Sequence, residues 1–276
     1  MRVIEKTNTK IVREFTSISD MMEFSRPNEL PDHVDSKSGS QRFTGTKSLE
    51  EAVKLAEEGW TDGTTAMLEK LAQVKSHTTE SVKGYRWDVT GDIFDVGAVL
   101  SGEPECWLHP EPTPDRRVFK ICVNMTASAD ISKEKIMIRG AAVMGLVDKL
   151  QEIPENIIEL TLFHGVSDCP PYNQSIYFLQ LGTTPLPMNE VSFATAHPSM
   201  LRRINCTVSE RDNNGQSCGG YGHVMELPSK EQEQFDLYLK GTCAVNHGDL
   251  GSFDHIDGAA KWVDNQIEKF NGKHHE

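Results

Sequence analysis

An α/β protein built on a doubly wound, mostly parallel sheet is the fold class this sequence predicts, with a helical extension at its N-terminal end. Three observations predict it. Val118-Phe-Lys-Ile-Cys-Val123 is a short, β-branched, apolar run, the pattern of a buried strand. Between Ser132 and Leu150, the residues Ile136, Val143, Val147 and Leu150 share one helical face. Ile157-Ile-Glu-Leu-Thr-Leu-Phe163 then reads as a second buried strand. Parallel neighbours need a crossover of about this length, so 118–163 reads as a βαβ unit. Parallel strands in turn require helices over both faces of the sheet.

The elements before this unit are polar and helical. Residues Ile11 to Arg26 hold one strand, and Pro27 to Gln41, rich in Pro, Asp, Ser and Gly, reads as an exposed loop. Ser48 caps a helix, with Glu51 placed to complete a capping box. Leu49, Val53 and Ala56 give that helix an apolar stripe, and Gly59 ends it. A second helix starts at Thr61 or Asp62 and runs through Val74, carrying Met67, Leu68 and Leu71. Further on, Asp92 and Asp95 precede a short apolar helix that ends near Leu100, stopped by Ser101-Gly102 and Pro104. Trp87 and Trp107 anchor this connector.

After the βαβ unit, Ser175 to Leu181 and Ile204 to Ser209 read as strands. A Gly- and Asn-rich loop covers Asn213 to Gly222, where positive φ values are easily adopted. Phe235 to Leu239 is the last predicted strand, and Asp254 to Phe270 the closing helix. The chain thus divides into an extension and connector over 1–110 and an α/β domain over 111–276.

With 276 residues, 37% of them hydrophobic, the chain can bury one large core. No apolar run approaches the roughly 20 residues that span a bilayer, and the first ten residues lack the apolar centre of a signal peptide. A cytoplasmic location and no membrane partner are the expectation. Cys106, Cys122, Cys169, Cys206, Cys218 and Cys243 form no C-x-x-C pair, and Cys122 and Cys206 lie in predicted strands, as reduced core thiols do. The net charge of −13 argues against nonspecific binding of a polyanion. The candidate basic patch is Arg202-Arg203, with Arg116-Arg117 a second pair; the competing reading has Arg202 and Arg203 complement the end of a preceding helix.

Open α/β sheets bind ligands at the carboxyl ends of their strands, where Asn124, Thr126 and Ser128 fall. This strand, the N-x-T-x-S run, the helix and the Leu-Thr-Leu-Phe strand together resemble the opening of a von Willebrand factor A (VWA) domain. That family's usual D-x-S-x-S motif holds a divalent cation with help from a later Thr and Asp. The resemblance implies a metal site, Mg²⁺ being the implied ion, formed by Asn124, Thr126 and Ser128, with Thr183 or Thr184 and Glu210 or Asp212 from later loops. Asn124 stands where the family has a carboxylate and brings no charge to offset the ion's dehydration. A second resemblance spans most of the chain. Phe43 to Trp60, Asp95 to Cys106 and Ala196 to Arg203 are similar to phrases of uncharacterised tailed-phage proteins, which implies a phage accessory protein made in the host cytoplasm.

Three functions are consistent with these residues. The first is a noncatalytic protein–protein interaction module with a degenerate cation corner. The second is a transcription or replication accessory protein that contacts a polymerase and single-stranded DNA through Arg202, Arg203, Arg116 and Arg117. The third is a metal-dependent hydrolase using Asp92, Glu210 or Asp212 with a histidine such as His164 or His197. His197, Arg202, Arg203 and Asp92 are the candidate binding residues. No G-x-S-x-G, H-E-x-x-H or P-loop motif occurs, which places the interaction module first.

Overall fold

A computed structural model describes residues 1–26, 35–78, 85–90, 93–94, 96–110, 118–152, 156–169, 171–213, 242–245 and 247–272. Asp92, Asp95, Arg116, Arg117, most of the 213–222 loop and the strand expected at 235–239 lie outside the described residues.

The strands are β1 (Arg2–Lys6), β2 (Lys10–Phe15), β3 (Tyr85–Asp88), β4 (Ile93–Phe94), β5 (Trp107–Pro110), β6 (Val118–Asn124), β7 (Ile157–Cys169), β8 (Tyr172–Thr183) and β9 (Thr242–Val245). The main sheet has the order β1-β2-β8-β7-β6-β9, and β3-β5-β4 form a small second sheet. β6 runs parallel to both β7 and β9, and β2 parallel to β8, while β7–β8 and β1–β2 are antiparallel. The protein is therefore mixed α/β with a largely parallel main sheet. Residues 2–15, expected to belong to an extension, add two strands to that sheet. β1 escaped sequence reading because Arg2, Glu5 and Lys6 break its alternation, as edge strands commonly do.

The helices are α1 (Ile18–Phe24), α2 (Asp35–Ser38), α3 (Gln41–Thr44), α4 (Leu49–Glu58), α5 (Thr61–His77), α6 (Val96–Leu100), α7 (Lys133–Leu150), α8 (Met188–Ala196), α9 (Asn205–Asp212) and α10 (Ile256–Gly272). A π-helical turn, Met200–Ile204, runs into α9, and a 3₁₀ helix, His247–Phe253, follows β9. Ser48 caps α4 as expected, its side chain accepting from Glu51 N, while Glu51 Oε2 accepts from Lys47 N, one residue before the donor of a capping box.

One core unites these elements. Phe15 of β2, Ile121 and Val123 of β6, Leu160 and Leu162 of β7 and Tyr177 and Leu179 of β8 pack with α1, α4, α5, α7, α8 and α10. The opposite face buries Val12, Cys122, Phe163, Ile176 and Phe178, a cluster that among the described residues is formed by the strands alone. The described helices of the main core thus gather on one face of the sheet.

α7 is the central helix. Ser132 caps it by accepting from Lys135 N at 3.1 Å, and nearly its whole circumference is buried, between the sheet and α5, α8 and α10. Such a helix needs small residues where neighbours cross closely. A Cβ on Gly140 would lie 2.7 Å from Ala196 Cβ, so Gly140→Val is expected to lower stability by about 1–3 kcal/mol, as measured by urea unfolding.

The stretch Ile204 to Ser209 corrects the sequence reading, since it is helical rather than extended. Its β-branched residues suggested a strand, but Ile204, Cys206, Thr207 and Val208 are all buried. Burial on every side erases the alternation that separates strand from helix, and tertiary packing overrides local propensity.

Candidate functional site

The carboxyl ends of β6 and β9 bring together the loop 125–132 and the 3₁₀ helix 247–253. The chain leaves β6 towards β7 on one side, while β9 pairs on the other, so a ligand crevice is expected between them. A hollow of about 690 Å³ lies there, lined among others by Ser128, Asp130, Lys135, Leu250 and Asp254. Lys135 and Asp254 are ion-paired across it at 2.7 Å.

The corner residues are tied to one another. Asn124 Oδ1 accepts from Thr126 N at 3.0 Å and from Thr126 Oγ1 at 2.5 Å, a side-chain turn that closes the strand end. Asn124 and Thr126 are buried. Ser128 is half-buried, and its hydroxyl hydrogen bond holds the Asp130 carboxyl below the usual carboxylate range. Behind the turn lies Arg139 of α7, 1% exposed. Its Nη1 donates to the Asn124 carbonyl at 3.3 Å, and its Nη2 approaches the Met125 sulfur at 3.4 Å. Its Nε–H has no hydrogen-bond partner. Burial lowers this guanidinium to about 10, so it stays charged at neutral pH.

The remaining residues of the expected metal set lie elsewhere. Because β8 runs antiparallel to β7, Thr183 pairs with Glu159 whereas Asn124 pairs with Phe163. Four residues of β7 separate the two levels, roughly 13 Å, which puts Thr183 towards the opposite end of the sheet. Thr184 accepts there from Ile158 N at 3.3 Å. Glu210 is fully buried and accepts from Ser36 N at 3.0 Å and from Ser36 Oγ. Asp212 is bound to Arg13. These residues do not fit a Mg²⁺ ion: a neutral amide stands in the first position, a buried guanidinium lies behind it, and the later ligands are committed away from the corner.

The candidate binding residues on the π-helical turn are also committed internally, which corrects the expectation of a basic surface patch. Arg203 is completely buried. Its guanidinium donates to Thr46 Oγ1 and to the carbonyls of Ser36, Lys37, Gly39 and Thr46, at 2.5 to 3.1 Å. Arg202 donates to the carbonyls of Phe43, Ala129 and Ile131 and stacks on the Phe43 ring at 4.2 Å. The two arginines fasten 36–46 to the sheet's upper end rather than offering charge to a polyanion. The segment expected as an exposed loop is consequently anchored where it is described, with Ser36 buried. His197 caps α8, packs between Trp60 and Phe193 and accepts from Ser199 N at 3.0 Å. Burial lowers it to about 4, and its contacts are those of a packed core side chain.

A polar row that the sequence did not reveal crosses the sheet under α9. Arg13, Tyr177 and His164 are direct cross-strand neighbours on β2, β8 and β7. Arg13 Nε donates to Asp212 Oδ2 at 2.6 Å and Nη2 donates to Oδ1. Burial opposes the Arg13 charge, but the hydrogen bonds and charge of Asp212 outweigh it and raise its pKa. Asn205, seven residues before Asp212, lines a small cavity with His164 and Tyr177. Seven helical residues rise about 10.5 Å, close to the width of two strand spacings. α9 therefore lies along the row, with Asp212 at one end and Asn205 at the other. The available signal was Asn205 and Asp212 at i, i+7, which helical spacing places on one face.

The sheet, the crossover helix and the crevice at the strand ends define an α/β protein with an open hollow at the carboxyl ends of β6 and β9. The chain belongs to the family described as a domain of unknown function (DUF7192), whose model matches residues 3–249. No curated protein and no solved structure matches it.

Proposed function

We propose that the chain is a noncatalytic accessory protein whose VWA-like sheet binds a protein partner at the β6–β9 crevice, without a cation. The observation that carries this reading is the closed Asn124–Thr126 turn over the buried Arg139. The position at which the resembled family binds a metal is here electrostatically matched to stand without one. The order β8-β7-β6-β9 supports the VWA-like plan, because it reproduces the 3-2-1-4 succession of doubly wound sheets. The same sheet then carries β1 and β2 beyond β8. The phage phrases Phe43 to Trp60 and Ala196 to Arg203 support an accessory role in a host cytoplasm, and no described helix is long and apolar enough to cross a membrane.

The polymerase and single-stranded DNA alternative drew on Arg202 and Arg203, whose commitment to backbone carbonyls removes that support, and on Arg116 and Arg117, which lie outside the described residues. The hydrolase alternative drew on Glu210 and Asp212, engaged by Ser36 and Arg13 respectively, and on Asp92, which lies outside the described residues.

Asn124→Ala supplies a test. Loss of the turn is expected to lower stability by about 1–3 kcal/mol, because Thr126 N–H and Oγ1–H lose a buried acceptor. The loss should be the same in Mg²⁺ and in EDTA. Stabilisation of the wild type by millimolar Mg²⁺, absent in Asn124→Ala, would overturn the cation-free reading.

A further inference from the structure

The row under α9 is half satisfied. At one end Arg13 and Asp212 form a bidentate pair. At the other, His164 has neither ring nitrogen hydrogen-bonded, and Asn205 Nδ2 also has no partner. His164 is 8% exposed and Asn205 2%, so bulk water does not serve these atoms. Buried polar groups are rarely left in this condition, and an internal water is the commonest remedy.

His164 and Asn205 line the same small cavity, with Met21, Met125, Leu162 and Phe178 among its walls. The cavity measures about 10 Å³, about the room that one water needs. His164 stacks against Tyr177 with ring centroids 6.0 Å apart, so the imidazole cannot swing towards the row's charged end without displacing that ring. The Tyr177 hydroxyl lies beside Ser175 and Asp212, at the charged end of the row.

We infer that the space between His164 and Asn205 is a binding site for one internal water molecule, which joins the β7 strand to the first turn of α9. The chemistry selects water over other small species. Burial lowers His164 to about 4, so at neutral pH its ring offers one donor and one acceptor, while Asn205 Nδ2 offers donors. Ammonium would only donate and would meet the Asn205 N–H groups head on. Chloride would only accept, is larger than water, and would find one imidazole nitrogen presenting a lone pair. Water accepts from Asn205 and completes either nitrogen of His164.

The bridge completes the clamp on α9, whose other end is held by Asp212. It also gives the π-helical turn a purpose in the packing. The wider turn over Met200–Ile204 sets the rotation at which α9 begins, and that rotation determines whether Asn205 meets His164.

Two measurements test the site. In the wild-type protein, water-to-protein NOE spectroscopy should show a long-lived water cross-peak to the Asn205 side-chain amide protons. In thermal unfolding, His164→Leu and Asn205→Leu should each lower Tm by about 4 °C or more, since each strands the water and the other partner. The double variant should lose clearly less than the sum. Absence of the cross-peak would overturn the site, as would a rise in Tm for either single variant or strictly additive losses, because those are the signs of a dry cavity.

Discussion

Arg203→Met should cost about 4 kcal/mol or more of folding stability, measured by urea unfolding, placing it among the most damaging single changes in this chain. The side chain is wholly buried and makes five hydrogen bonds, four of them to the backbone carbonyls of Ser36, Lys37, Gly39 and Thr46. Methionine fills most of the volume but removes the guanidinium's hydrogen bonds from these carbonyls, of which Thr46 keeps one from Thr44 Oγ1. Each stranded acceptor costs on the order of 1–3 kcal/mol, with relaxation reducing the sum. Arg203→Lys should recover less than half of the loss, because three donors at one point cannot reproduce a planar fork. Arg202→Met should cost less, as its side chain holds three carbonyls. A loss below 1 kcal/mol for Arg203→Met would show that the 36–46 segment is not held by this residue.

Acid should weaken the fold well before general carboxylate protonation. His164 and His197 are both lowered to about 4 by burial, below the ordinary value of 6.5. With the folded-state pKa depressed, protons bind the unfolded chain preferentially. The neutral-histidine contribution is therefore complete above pH 6.5 and is lost as pH falls from 6.5 to 4. Each histidine contributes a slope of about 1.4 kcal/mol per pH unit within that window, or ~3 kcal/mol across it. Urea midpoints taken at intervals from pH 7 to 4.5 should fall accordingly. His197→Gln should flatten the profile by about half, even if its stability at pH 7 is reduced. A flat profile in the wild type would mean that these imidazoles are open to bulk solvent or have an acidic partner.

Much of the scaffold was legible because its elements carry clean local signals. The βαβ unit from Val118 to Phe163 combines two apolar strands with a capped helix, and all three lie where their patterns placed them. Ser48 and Gly59 likewise marked the ends of α4. What failed depended on partners distant in sequence. Thr183 was assigned to the cation corner by the resemblance alone, but the antiparallel pairing of β8 with β7 carries it towards the other end of the sheet. Ile204 to Ser209 lost its helical period because all its sides are buried. Arg202-Arg203 looks the same in sequence whether it faces a polyanion or the backbone carbonyls of its own chain. Arg139 gave no warning either, since one arginine in an amphipathic helix ordinarily reaches solvent.

The corner Asn124, Thr126 and Ser128 was legible as a position but not as a chemistry. The sequence located it at a strand's carboxyl end, whereas its electrostatic character comes from Arg139, fifteen residues on, and from the hydrogen bonds that close it. The neutral residue in the first position and the buried cation behind it are consistent with each other. That consistency across sequence and packing is the strongest support for a cation-independent role.

The most direct test of that role is capture of a partner by tagged protein from extracts of the cells that produce it, comparing wild type with Ser128→Arg, whose side chain intrudes on the β6–β9 hollow. The account predicts a protein partner that survives nuclease and EDTA and is lost with Ser128→Arg. Capture abolished by nuclease or by EDTA, or unchanged in the variant, would contradict it.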